Sequence, residues 1–354
     1  MVDFLIVGQG LAGSMLAWEL IQRGAKVLLV DNGMPNASQV AAGLINPITG
    51  MRFVKSADVD VLLPAAKAYY SLFEQTFGQT FYVEKPMLRI FKDKLEIENA
   101  TKRFDDASYK SYIKENHLQN EYTGTLNAPL GIVEQEQTGY LLTQPLLECL
   151  KAFFIDKGAY LKSDFKIDEL QLEPTLRWRD MESKQVIFCE GYQAIQNPWF
   201  SWLPFQPVKG EIITVEHSHQ LADKMVNFGN WLIPLNDHQA RIGATFDREN
   251  LNAIPTDSAK EELMLAVNQL MTVPFESHVI RHEANVRPTT LDRNPYLGLH
   301  PENNKLAIFN GFGSKGSLQI PWYSQHFSDF LLKNEPLKPS CDIKRHTKKF
   351  FVAN

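Results

Sequence analysis

The residues with the clearest chemical purpose are Gly8, Gly10 and Gly13, spaced as Gly-x-Gly-x-x-Gly. This spacing suits a nucleotide diphosphate. The first glycine allows a tight turn, the second lets backbone approach a pyrophosphate, and the third lets a helix pack against a strand. Asp31 lies 18 residues beyond Gly13, where it can accept hydrogen bonds from ribose hydroxyls. Arg287 offers a guanidinium fork that matches a carboxylate. Arg52, Arg241 and Lys209 are further candidate cations, the last two weaker. No Ser–His–Asp or Cys–His arrangement stands out. His217 and His219 would share a strand face, but nothing nearby completes a metal site. An exposed turn is the expectation there, and no metal.

Local patterns supply the elements that must hold these residues. Phe4–Val7 is a short apolar run that suits a buried parallel strand. A helical pattern runs from about Ser14 to Arg23, with Leu16, Leu20 and Ile21 on one face, and Gly24 stops it. Lys26–Val30 reads as the second strand, which Asp31 ends. The helix N-terminus presents free N–H groups to phosphates. Both NAD and FAD use such a βαβ unit. The small-residue stretch after Asp31, with Ser38, Ala41, Ala42, Gly43 and Leu44, favours FAD. It lets backbone lie against a flat flavin where an NAD enzyme would begin its next helix. An NAD dehydrogenase is the alternative.

The 354 residues exceed what one core usually fills, so two domains are expected. Hydrophobic residues at 44% and charged residues at 22% are ordinary for a globular chain and argue against disorder. The net charge of −5 gives no reason to expect a nucleic-acid partner. No stretch approaches the roughly 18 apolar residues of a membrane span. Asp3 and the early glycines do not fit a secretory signal. Cys149, Cys189 and Cys341 are far apart with no CxxC pair, so a cytoplasmic location is expected. The basic run Lys344–Lys349 reads as a solvated terminus.

Several segments together resemble the FAD-dependent D-amino acid oxidase, glycine oxidase and sarcosine oxidase (DAO) family. They are the Gly8–Gly13 unit, Ser38 with Ala41–Leu44, and Gln185–Gly191, which matches a strand ending in Ala-Thr-Gly but carries Cys189-Glu190 before Gly191. Val286–Gly298 matches the family's Arg-Pro-x-Thr-x-Asp run closely. Gly311-Phe312-Gly313-Ser314-Lys315-Gly316 resembles its last glycine loop. The segments near 65–130 and 250–280 match little.

This resemblance implies an α/β fold. A Rossmann-type FAD domain (1–60, 140–200 and 285–340) would interleave with an α+β substrate domain (61–139 and 201–284) built on a mostly antiparallel sheet, leaving a tail at 341–354. Helices are expected at 59–76, 146–154, 257–271 and 317–332, and strands at 186–188, 211–216, 231–235 and 240–244.

The implied reaction oxidises the C–N bond of a small amino acid or amine to an imine, with O2 or another acceptor taking the electrons. Arg287 would bind the substrate carboxylate and Arg52 would contact flavin or substrate. Gly191, Gly311, Gly313, Ser314, Lys315 and Gly316 would contact the cofactor. The positive end of the helix after Gly316 would stabilise the reduced flavin. FAD is expected to be non-covalent, because Ala284, Asn285 and Val286 stand where monomeric sarcosine oxidases carry a cysteine. The alternatives are the oxidoreductase half of a tRNA wobble-uridine modification enzyme, or a flavoprotein in which FAD is structural. Trp231, Trp322, Tyr323 and Phe312 are expected in the core, with a pocket as the alternative. Oligomeric state is not legible.

Overall fold

The computed structural model describes residues 1–114, 122 and 124–352. The expected segments 61–139 and 341–354 therefore run partly outside it. Phe4, Leu5, Ile6 and Val7 are all buried, which is why this run stands in the middle of a parallel sheet. Strand Val2–Val7 pairs with Val27–Asp31 on one side and Met181–Phe188 on the other. Tyr160–Lys162 and Leu306–Asn310 extend the parallel set outward. Tyr296–Leu299 adds an antiparallel strand beyond Leu306–Asn310. Helices Leu11–Gln22, Thr143–Asp156 and Gly316–Lys333 pack on this layer.

The second large sheet runs in the order Ser277–Arg287, Val208–His217, Gln239–Gly243, Trp231–Asn236, Met225–Asn227, Met87–Ile90, Ile132–Gln135 and Ile113–Lys114. Its neighbours are antiparallel except for Met225–Asn227 beside Met87–Ile90. One face carries Leu88, Ile213, Val215, Leu232 and Ile242 against helix Asp257–Leu270. The other face carries Met87, Ile212, Met225 and Ile233 against Val40, Ala42 and Tyr140. The mixed α/β architecture expected from sequence is therefore present. Each strand of the second sheet presents alternate residues to the two faces.

Several boundaries differ from expectation for physical reasons. The first helix begins at Leu11 rather than Ser14, because Gly10 takes the extended cap conformation and Gly13 sits inside the helix. The strand expected at 211–216 spans Val208–His217. The expected solvated tail is instead docked. Lys344–Phe350 is a helix whose Arg345 pairs with Asp292 at 2.8 Å and whose His346 is buried. Only Lys344, Lys348 and Lys349 of its basic run are exposed. His217 also departs from the expected exposed turn. It is buried, and its ring lies 5.5 Å from that of Phe275.

Pro321 lies inside helix Gly316–Lys333 and has no N–H to give the Ser317 carbonyl. The Tyr70 hydroxyl donates to that carbonyl instead, reaching across from helix Val59–Phe77. Tyr70→Phe is expected to cost about 1–3 kcal/mol, because it leaves a buried acceptor unpaired. Urea unfolding checks this, and an unchanged midpoint would show that the carbonyl finds another donor.

Candidate functional site

A cavity of about 570 Å³ lies between the parallel sheet and the second sheet. This is within the range of cofactor and ligand sites. One end is built by the turn after Val2–Val7. Gly8 has φ +103°, and a Cβ there would lie 2.6 Å from the Cys189 carbonyl oxygen. Gly10 adjoins Ser38, whose Oγ accepts from the Leu11 N–H at 2.9 Å. Asp31 accepts from the N–H groups of Gln9 at 2.8 Å and Gly33 at 2.7 Å. These bonds fix its carboxylate at the cavity wall and leave it further acceptor capacity.

The middle of the cavity is walled by Ala41, Ala42, Gly43 and Leu44. Asn36 caps the one-turn helix Ala37–Val40 that precedes them. Gly43 cannot carry a side chain, since its Cβ would lie 2.0 Å from the Leu141 carbonyl oxygen. Gly191 and the loop Gly313, Ser314, Lys315 and Gly316 complete this part of the wall. Lys315 donates to Ser56 Oγ at 3.1 Å, and burial pulls its ammonium below the usual lysine range. Helix Gly316–Lys333 begins here, so its positive end meets the cavity.

Arg287 ends strand Ser277–Arg287 and faces the cavity. Its Nη2 donates to the Thr245 carbonyl at 3.3 Å. Asp292 takes Arg345 as its partner, not Arg287. Burial alone pulls the Arg287 guanidinium below its usual range, and no carboxylate among the described residues counters it. The guanidinium lies across Gly210, where a Cβ would come within 1.8 Å of Nη2.

Most candidate residues come together on this wall, but not all. Gly13 and Gly311 pack behind it: Gly13 against the Gly8 carbonyl oxygen, Gly311 against Thr290 and Tyr296. Arg52 is exposed and is not among the residues that line the cavity. Phe53, with φ 50°, buries its ring 4.2 Å from the Arg89 guanidinium, and that turn throws Arg52 outward. Lys209 is also off the wall. Its neighbour Gly210 faces the cavity, while Lys209 bonds Glu211 at 3.1 Å and the Ile254 carbonyl at 2.6 Å. Arg241 lies beneath Val40, donating to its carbonyl at 3.4 Å. Trp231 and Phe312 line the cavity, whereas Trp322 and Tyr323 do not.

Three charged wall residues, Arg89, Asp164 and Glu190, were not among the sequence candidates. Arg89 is buried, pairs with Glu96 at 2.9 Å and lines the end of the cavity near Asn227 and Trp231. The available signal was Asp93, which caps the helix at Lys94–Phe104 and brings Glu96 back towards the strand. Glu190 was visible only as a departure from a motif. Glu190 is partly buried in the wall, and burial pushes its carboxyl up to about 7.

A glycine turn at a helix N-terminus, a ribose-directed aspartate and a small-residue wall together fit a flavin dinucleotide. The chain belongs to the DAO family of FAD-dependent oxidoreductases, which it matches over residues 3–329. It is thus an FAD-dependent oxidoreductase. Among individual proteins, it is 24% identical over 368 residues to a tRNA 5-methylaminomethyl-2-thiouridine biosynthesis bifunctional protein of Marinobacter nauticus. That alignment covers 95% of this chain and 56% of the relative, so the chain spans about half of that protein's length. It is 22% identical to a glycine oxidase of Pseudomonas aeruginosa, covering 94% of this chain and 95% of that one. Glycine oxidase from Geobacillus kaustophilus superposes with a TM-score of 0.82 at 20% identity, covering 95% of each chain. Iminodiacetate oxidase from Chelativorans sp. BNC1 superposes at 0.78 and 21% identity, covering 97% of this chain and 98% of that one. No helix among the described residues is long and apolar enough to cross a membrane.

Proposed function

We propose that this oxidoreductase oxidises the C–N bond of a small amino acid or of an amine that carries a carboxylate. Arg287 carries the reading. It is a cation on the wall of the cofactor cavity with no carboxylate partner among the described residues, and a substrate carboxylate would supply one. Gly8, Gly10, Asp31, Ser38, Ala41–Leu44, Gly191 and Gly313–Gly316 would hold FAD without a covalent bond. Bound FAD supplies a hydride acceptor at flavin N5.

Arg287 grips the carboxylate in a two-point fork and so fixes the adjacent carbon. That carbon gives up a hydride with its bonding electrons, and the nitrogen loses a proton to water. Water adds to the resulting imine, and the C–N bond breaks to give a carbonyl compound and an amine. Neither Lys209 nor Arg241 lines the cavity, whereas Lys315, Arg89 and Arg287 do, and O2 or another acceptor takes the electrons. Incubating the holoenzyme with glycine, sarcosine and an artificial acceptor tests this. One carbonyl product and one amine are expected per electron pair, and acceptor reduction without an amine product would remove the reading.

A carboxymethylamino group on a nucleoside presents the same carboxylate and the same bond. The 24% identity to the tRNA-modifying relative keeps this second reading open, and it differs only in what lies beyond the nitrogen. An N-substituted glycine used far better than glycine itself would favour it.

The seat of Arg287 gives a separate prediction. Gly210→Ala places a methyl group 1.8 Å from Nη2, and the flexible guanidinium must move. The fold should hold while kcat/KM for carboxylate substrates falls about 10- to 100-fold, the usual effect of a misplacement of about 1 Å. Unchanged kinetics would show that Arg287 works from another position.

A further inference from the structure

We propose that Glu190 binds FAD as the neutral acid, donating a hydrogen bond to an oxygen of the cofactor, so that FAD affinity falls when this carboxyl ionises. Glu190 follows strand Met181–Phe188, beside the Gly8 turn. A Cβ on Gly8 would lie 3.6 Å from the Glu190 Cα. Glu190 lines the cavity that a bound cofactor would fill.

Among the described residues, the Glu190 carboxyl has one hydrogen-bond partner. The Asn197 amide donates to Oε2 at 2.8 Å, and Oε1 has no hydrogen-bond partner among the described residues. Asn197 is neutral, so the carboxyl has no compensating cation. A bare carboxylate here would face a diphosphate across a cavity that has lost its water, and unpaired buried charge of this kind is neutralised by proton uptake. The other titratable groups of this part of the wall are Asp31, Asp164, Cys189, Tyr192 and Lys315, and none is in ion-pair range of Glu190. Arg89 and Arg287 belong to the opposite wall, on the second sheet.

The direction of the pH effect follows from linkage. Burial already raises the carboxyl to about 7 before the cofactor is present. The cofactor's negative charge raises it further, so binding takes up a proton above that pH. The FAD dissociation constant should be flat below about pH 7 and rise about tenfold per pH unit above it, until the bound-state ionisation is passed.

The experiment follows FAD release on dilution of the holoenzyme, by the return of free-flavin fluorescence, from about pH 6 to about pH 9. In Glu190→Gln the dissociation constant should stay near the wild-type low-pH value throughout. Calorimetry of FAD binding to wild type in buffers of different ionisation enthalpy should show proton uptake approaching one per FAD near pH 8. A flat wild-type profile would overturn the proposal, as would a wild-type slope that survives in Glu190→Gln or an absence of proton uptake.

Discussion

Arg287→Leu is expected to cut kcat/KM for carboxylate substrates by roughly 30-fold to several-thousand-fold while FAD content stays at the wild-type level. Truncating one partner of a buried, hydrogen-bonded charge pair costs about 2–5 kcal/mol, and each decade in rate corresponds to about 1.4 kcal/mol. Among the described residues Arg287 has no ion pair to be left broken, so the loss should fall on the substrate rather than on the fold. The bond from its guanidinium to the Thr245 carbonyl is long at 3.3 Å. Arg287→Lys keeps the charge and loses the fork, so it should fall between wild type and Leu. Amines without a carboxylate provide the control, and their kcat/KM should change little. Equal loss on both substrate types would place Arg287 in general packing instead of recognition.

Gly13→Ala should strip the protein of FAD. The added Cβ would lie 2.0 Å from the Gly8 carbonyl oxygen and 3.2 Å from Cys189 Cβ. The nearer neighbour is backbone, which cannot swing aside. Either the first helix shifts off the sheet or the Gly8 turn opens, and both deform the phosphate end of the cavity. Overpacking of this kind typically costs about 1–3 kcal/mol, beyond the lost cofactor affinity. Gly24→Ala is the comparison. It has φ +84° and open space around it, so it should cost about 1–2 kcal/mol for left-handed backbone alone and retain FAD. The flavin-to-protein absorbance ratio of the two variants decides the matter. Full flavin in Gly13→Ala would mean that this helix does not set the phosphate site.

What the sequence discloses depends on whether local pattern decides the structure. The βαβ unit was legible because Phe4–Val7 and Val27–Val30 are continuous apolar runs with glycines between them, and the structure buries all eight. Strand Val208–His217 was read to begin only at Glu211, because Lys209, which pairs with Glu211, looks like a surface charge. The two are a buried pair at 3.1 Å, and Glu211 also takes the Thr256 N–H at 2.8 Å. Met87–Ile90 and Ile132–Gln135 were missed because they are short and buried throughout, so no alternation marks them, while Arg89, Glu134 and Gln135 disguise them as polar. The placing of Arg52 turned on the left-handed conformation of Phe53, which no local pattern announces. The docked tail depended on Asp292, 53 positions away from Arg345.

The most direct test is an anaerobic visible spectrum of the purified protein, taken before and after adding glycine, sarcosine, proline and D-amino acids as a pool. A flavin band that bleaches with the pool is expected, with a marked slowing of that bleaching in Arg287→Leu. A flavin band that dithionite bleaches, but that neither the pool nor an N-substituted glycine affects, would contradict the proposed C–N oxidation.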